Sequence, residues 1–199
     1  MVNLQENIFI VGPVASGDSF FGRLQQIEEL EETIFAGVGS RNLIGPTRIG
    51  KTSLVNRVFE RNRDYPNRLC VQMNMGSCDD AYDFWTTLAS EIEEQIRNVD
   101  LWNPEFERYY RDLWDKATPQ NERWWTVFKG QVKKIMMEVR EQGYRLVLSI
   151  DEFDSVEKIF AQMPHYYQLL RSFYSEPAYA TSGVLISRRR LHMFEATCP

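Results

Sequence analysis

The stretch "LIGPTRIGKTSLVNRVFE", Leu43 to Glu60, constrains the fold more than any other part of the chain. A short apolar run enters a loop of spacing G-x-x-x-x-G-K-T, from Gly45 to Thr52, and leaves it on a pattern of helical period. A strand, a phosphate-cradling loop and a helix in that order belong to α/β architecture. Gly45 and Gly50 permit backbone angles and close approaches that a side chain forbids, so the N–H groups of Gly45, Pro46, Thr47, Arg48, Ile49 and Gly50, proline excepted, can turn inward around an anion. The helix beginning near Lys51 adds unsatisfied amides and the positive end of its dipole. Lys51 can reach β and γ phosphates, and Thr52 offers Mg²⁺ a hard oxygen ligand. Ser53 is a helix-start neighbour with a smaller claim. The alternative is a glycine-rich turn before an ordinary helix.

The 199 residues suffice for one well-buried domain, and 43% hydrophobic with 26% charged residues is ordinary globular composition. No apolar run reaches the ~18 residues of a membrane span, and "MVNLQENIFIVGP" lacks the order of a signal peptide, so the expected compartment is cytoplasmic with no membrane partner. Cys70, Cys78 and Cys198 form no C-x-x-C pair and suggest neither a disulfide framework nor a zinc site. The net charge of −5 argues against a dominant nucleic-acid surface, without excluding a local basic patch.

Along the chain, helical and strand patterns alternate. Leu24, Ile27, Leu30, Ile34 and Phe35 predict an amphipathic helix over Arg23 to Gly37. "NLIG" predicts a strand, "KTSLVNRVFERN" a helix, Arg68 to Met75 a second strand, and about Asp80 to Arg97 a longer helix. The aromatic-rich segment at about 98–120, broken by Pro104 and Pro119, is expected to be a helical insertion. Trp125, Phe128, Val132, Ile135, Met136 and Val139 predict a crossover helix within Asn121 to Gln142. Trp124 and Trp125 suit packing in a core or partner interface better than base stacking. The pattern predicts a parallel sheet with helices on both faces.

A second constellation is "YRLVLSIDEFD". Leu146 to Ile150 reads as a central strand buried on both faces, ending in Asp151 and Glu152 at the sheet edge where α/β folds bind ligands. Asp151 is placed to hold Mg²⁺ through water or beside Thr52, and Glu152 to orient and polarise an attacking water. The alternative makes the pair a solvated strand end, or Asp151 a helix cap. Asp154 is a candidate cap for "SVEKIF". A third element, "SGVLISRRR", Ser182 to Arg190, is another strand ending in polar groups. Ser187 can bond a water or the γ-phosphate, and Arg188 can contact that phosphate. Alternatively the arginines form the basic face of a helix continuing into "LHMFEA".

With "GPTRIGKT", "SIDE" and "LISR" in hand, the chain resembles the P-loop ATPases of the additional-strand, catalytic-glutamate (ASCE) division. "FFGRLQQIEEL" resembles the opening motif shared by origin-recognition-type AAA+ ATPases and by STAND ATPases, including NACHT and NB-ARC proteins. That resemblance implies ATP and Mg²⁺ as ligands, with Phe21, Gly22 and Arg23 near adenine and ribose. It implies Lys51 and Thr52 at the phosphates and metal, Asp151 and Glu152 as the acidic motif, and Ser187 with Arg188 at the sensor position. The segment 1–22 would carry the adenine-side motif and 23–199 the ATPase core.

These families continue into a fifth strand, a helical lid with a second sensor arginine, and commonly a winged helix. The chain ends "HMFEATCP" just after the fourth strand pattern, so the expectation is a truncated core of weak or absent turnover. The resemblance implies an ATP-hydrolysing STAND-like switch that binds ATP or ADP, forms a homo-oligomer when activated, and works with sensor or effector domains outside this chain. The alternative is an AAA+ ATPase acting on DNA. A nucleotide kinase or GTPase is a third reading, weakened by the lack of an N-K-x-D guanine motif.

Overall fold

The computed structural model describes residues 23–37, 39–118, 123–160 and 164–190. Helix α1 spans Leu24–Glu31 and widens into a π turn over Glu32–Ala36. It starts one residue later than the sequence pattern suggests because Arg23 is left-handed, with φ 56°. Strand β1, Ser40–Ile44, stops before Gly45, and α2, Lys51–Arg61, starts after Gly50. Strand β2, Arg68–Asn74, gives way to a 3₁₀ turn at Met75–Ser77. Helix α3, Ala81–Asn98, is capped by the Asp80 carboxylate, which accepts from Asp83 N.

The segment at 98–120 yields α4, Pro104–Lys116. Pro104 opens this helix rather than interrupting it: a proline at the first turn sacrifices no intrahelical bond, and Asn103 Oδ1 caps the amides of Glu105 and Phe106 at 2.9 and 3.0 Å. Pro119 lies outside the described residues. Helix α5 spans Trp124–Glu141 and leads into β3, Arg145–Asp151. A 3₁₀ turn at Phe153–Ser155, α6 at Val156–Phe160 and α7 at Pro164–Ser175 follow, and β4, Thr181–Ser187, completes the described elements.

The four strands are all parallel, in the order β1-β4-β3-β2. Strand β4 is thus inserted between the strand that feeds the glycine loop and the acidic strand. Side chains alternate across the sheet as the pleat requires. Val147, Val184 and Ile186 pack with Ile27, Phe35, Leu54 and Val58 of α1, its π turn and α2. Leu146, Leu148, Ile150 and Leu185 face the opposite layer, formed by α3 and α5–α7, against whose α5 helix α4 packs. Both faces being covered explains why β3 and β4 read as continuous apolar runs. Each fully buried large side chain here contributes about 1.5–3 kcal/mol.

Trp124 and Trp125 pack, partly buried, against this larger core. Their rings lie 5.2 and 4.1 Å from that of Tyr166, and Trp125 also stacks on Phe128. No helix among the described residues is long and apolar enough to cross a membrane.

Register brings the polar ends together. Ile44 pairs with Ser187 and Asn74 with Asp151, so the glycine loop, Asp151, Ser187 and Asn74 emerge at one carboxyl edge.

Candidate functional site

The loop between β1 and α2 curls on itself. A Cβ on Gly45 would lie 2.7 Å from Ile49 Cδ1, and Gly50 is left-handed at φ 81°, a conformation that favours glycine. Pro46, Thr47, Arg48 and Ile49 are exposed on its rim, with Arg48 also left-handed at φ 64°. Lys51 bends back over the loop, its Nζ donating to Gly45 O at 2.8 Å and Pro46 O at 2.7 Å. Ser53, one turn-position inward, is buried at 8% exposure.

Thr52 lies beside the acidic strand. Its Oγ1 donates to Asp151 Oδ2 at 2.5 Å, joining the first turn of α2 to the end of β3. The other carboxylate oxygen, Asp151 Oδ1, accepts from Glu152 N at 2.7 Å. Asp151 therefore bonds the glycine-loop helix and not a helix N-terminus of its own. Glu152 is held left-handed at φ 51°, ψ 40°, a strained conformation costing about 1–3 kcal/mol for a residue with a side chain. The bond from Glu152 N to Asp151 Oδ1 and another from Ser155 N to Glu152 O, 2.9 Å, support it.

The Glu152 carboxylate lies over Gly76. A Cβ there would sit 1.8 Å from Glu152 Oε2, and Gly76 N donates to Asn74 Oδ1 at 2.8 Å. Asn74 and Gly76 escape a reading of local pattern because only the β2–β3 register places them beside the acidic pair. The polar "NMGS" at the end of an apolar strand is the signal that could have found them. Gly76→Ala is expected to displace the Glu152 carboxylate with the melting temperature little changed, and a Glu152 side chain left in place in the variant's structure would contradict that seating.

The end of β4 meets the site differently from the sequence expectation. Ser187 is buried at 2% exposure, and its Oγ donates to Arg189 O at 2.6 Å, so that hydroxyl is engaged by its own turn. Its carbonyl accepts from Gly45 N at 3.2 Å. Arg188 is 62% exposed, its amide donating to Asp154 Oδ2 at 2.7 Å and its Nε 3.5 Å from the same oxygen. Arg189 reaches Asp154 at 3.4 Å and Glu157 at 2.6 Å. The hydrogen bond to Glu157 is the main cause that holds the Arg189 guanidinium above its ordinary pKa. The Asp154 carboxylate thus faces two arginines and an amide at the end of β4. Residues 188–190 leave the strand as a bend, and the helix expected in "LHMFEA" lies outside the described residues.

Arg23 crosses to the loop, donating to Ile49 O at 2.6 Å. It lines a cavity of about 710 Å³ with Leu24, Ile44, Ile49, Lys51 and Leu54. Three of the exposed large apolar side chains, Leu24, Ile44 and Ile49, are thereby gathered beside the loop. Phe21 and Gly22 lie outside the described residues. The donor set fits a Mg²⁺–nucleotide: a hydroxyl and a carboxylate converge, an ammonium sits over the anion cradle, and a cavity of mixed polar and apolar lining adjoins it. Among the described residues no group of three His, Cys, Asp or Glu could hold a metal.

No protein-family model matches the chain, and no curated protein matches it. Solved structures do. Cdc6p from Pyrobaculum aerophilum is 15% identical with a TM-score of 0.49, over 92% of this chain and 42% of that one. A Walker-type ATPase of Pyrococcus abyssi is 13% identical with a TM-score of 0.51, over 91% of this chain and 49% of that one. The chain thus spans less than half the length of either. The likeness to the Pyrococcus protein is one of fold, and the fold is that of a P-loop NTPase: a parallel sheet flanked by helices, with the glycine loop on its first strand.

Proposed function

We propose that the chain binds ATP with Mg²⁺ at the carboxyl edge of its sheet and hydrolyses it, as the ATPase module of a STAND-like switch. The observation that carries the nucleotide reading is the 2.5 Å contact between Thr52 Oγ1 and Asp151 Oδ2, two Mg²⁺-type ligands brought together from distant parts of the chain beside a phosphate cradle. Loop amides and Lys51 receive the β and γ phosphates, Lys51 exchanging its two loop carbonyls for phosphate oxygens. Thr52 and Asp151 would hold Mg²⁺, which supplies positive charge to those phosphates when bound. Glu152 takes the proton of the attacking water, and Arg188 lies within the turn that flanks the γ-phosphate. The base takes the cavity beside Arg23, against Leu24, Ile44 and Ile49, with Phe21 and Gly22 preceding it in the chain.

Asp151→Ala tests the metal assignment. It is expected to lower ATP affinity about 10-fold with Mg²⁺ present and to have little effect in EDTA, since a hydrogen-bonded charged group is worth about 1.5–3 kcal/mol. Equal losses in both conditions would contradict the assignment.

The switch role rests on the resemblance of the opening motif and on the net charge of −5. An AAA+ ATPase acting on DNA uses the same site residues and is the second reading, supported by the same motif. Duplex binding that weakens steeply with salt would favour it.

A further inference from the structure

The glycine loop sorts its own backbone groups. Three of its carbonyls are held by cations: Lys51 Nζ donates to Gly45 O and Pro46 O, and Arg23 Nη2, 26 residues away in the chain, donates to Ile49 O at 2.6 Å. Its amides are left open. Among the described residues no acceptor takes the N–H of Thr47, Arg48, Ile49 or Gly50. Free donors beside carbonyls that are already engaged make a backbone suited to an anion.

The two cations differ in what a phosphate does to them. Lys51 leaves its carbonyls when the ammonium turns to phosphate oxygens, whereas the Arg23 bond can persist. The Ile49–Gly50 peptide is trans, so its C=O and N–H point to opposite sides of one plane. Fixing Ile49 O on the guanidinium therefore turns the Gly50 N–H away from that cation. Arg23 Nη1 stands 4.0 Å from where a Cβ on Gly50 would lie, so the guanidinium runs alongside this peptide. The brace is anchored in the fold. Arg23 O accepts the first bond of α1, from Ile27 N at 3.0 Å, and Ile27 and Leu30 share a buried cluster with Leu54, Val55 and Val58 of α2. Resting on the ATP reading above, we infer that Arg23 is a positioning residue for polyphosphate, acting through the Ile49–Gly50 peptide of the loop and not on the base. The ligand class it serves is a Mg²⁺–polyphosphate, whatever base that carries.

The test compares ATP with inorganic tripolyphosphate, each with Mg²⁺, by calorimetry on the unaltered chain, on Arg23→Gly and on Arg23→Lys. Arg23 is left-handed at φ 56°, so glycine fits its backbone and the melting temperature without ligand is expected to change little. Losing one charge-assisted contact to an exposed carbonyl is expected to weaken ATP and tripolyphosphate by the same factor, about 3- to 10-fold. Arg23→Lys keeps a cationic donor and is expected to recover most of that loss for both ligands. A merely structural role would lower the melting temperature and leave Arg23→Lys no better than Arg23→Gly. A loss confined to ATP would put the guanidinium on the base or ribose and overturn the inference, as would unchanged affinity for both ligands, or an unaltered chain that binds ATP and not tripolyphosphate. An unaltered chain that binds neither overturns the ATP reading and this inference with it.

Discussion

Lys51→Ala is expected to remove nearly all measurable ATP binding while leaving the fold intact. Among the described residues the ammonium is bonded only to carbonyls of its own loop, Gly45 O and Pro46 O, the latter on an exposed residue. Losing it leaves those acceptors open to water, so the stability change is expected to stay within about 0.5–1 kcal/mol. With nucleotide the balance reverses. The β and γ phosphates lose a charge-assisted partner that loop amides cannot replace, which corresponds to on the order of 100-fold in affinity. Thermal melting with and without ATP checks both halves: the same melting temperature without ligand, and no ligand-induced rise in the variant. A variant that ATP stabilises as well as the unaltered chain would remove Lys51 from the site.

Glu152→Gln is expected to separate binding from turnover. The amide preserves the side chain's shape over Gly76 and the left-handed turn supported by Asp151 and Ser155, so ATP affinity should change by less than about 3-fold. It cannot accept the water's proton, and general base catalysis contributes about 10²–10⁴ in rate. Single-turnover phosphate release should fall by that factor. The unaltered rate is itself expected to be slow wherever an arginine must be supplied by a neighbouring subunit, a contribution of ~10³–10⁵. The comparison therefore belongs in the assembled protein. Hydrolysis at the unaltered rate by Glu152→Gln would exclude this residue as the base.

The parts of this architecture that depend on local pattern are legible in the sequence. Gly45 to Thr52 announces its loop because spacing, preceding strand and following helix are contiguous, and the apolar run of β3 announces burial on both faces. What is not legible depends on register and on competition between partners. Nothing local places Asn74 opposite Asp151 or Glu152 over Gly76; both follow from the alignment of β2 on β3. Asp154 reads as a candidate helix cap because caps are local, and only the fold shows that its oxygens meet two arginines and an amide from β4's end. Ser187 reads as a phosphate-side hydroxyl, whereas its turn occupies that hydroxyl with Arg189 O. Pro104 reads as a break because the sequence shows the proline before it shows that Asn103 caps the helix it opens.

The central claim, that the carboxyl edge of this sheet binds a Mg²⁺–nucleoside triphosphate, is tested most directly by titrating ATP and Mg²⁺ into the unaltered chain by calorimetry, beside GTP and beside Lys51→Ala. The account predicts one site per chain, preference for ATP over GTP, and loss of the heat signal in the variant. No heat with the unaltered chain, or heat that persists undiminished without the Lys51 ammonium, would contradict it.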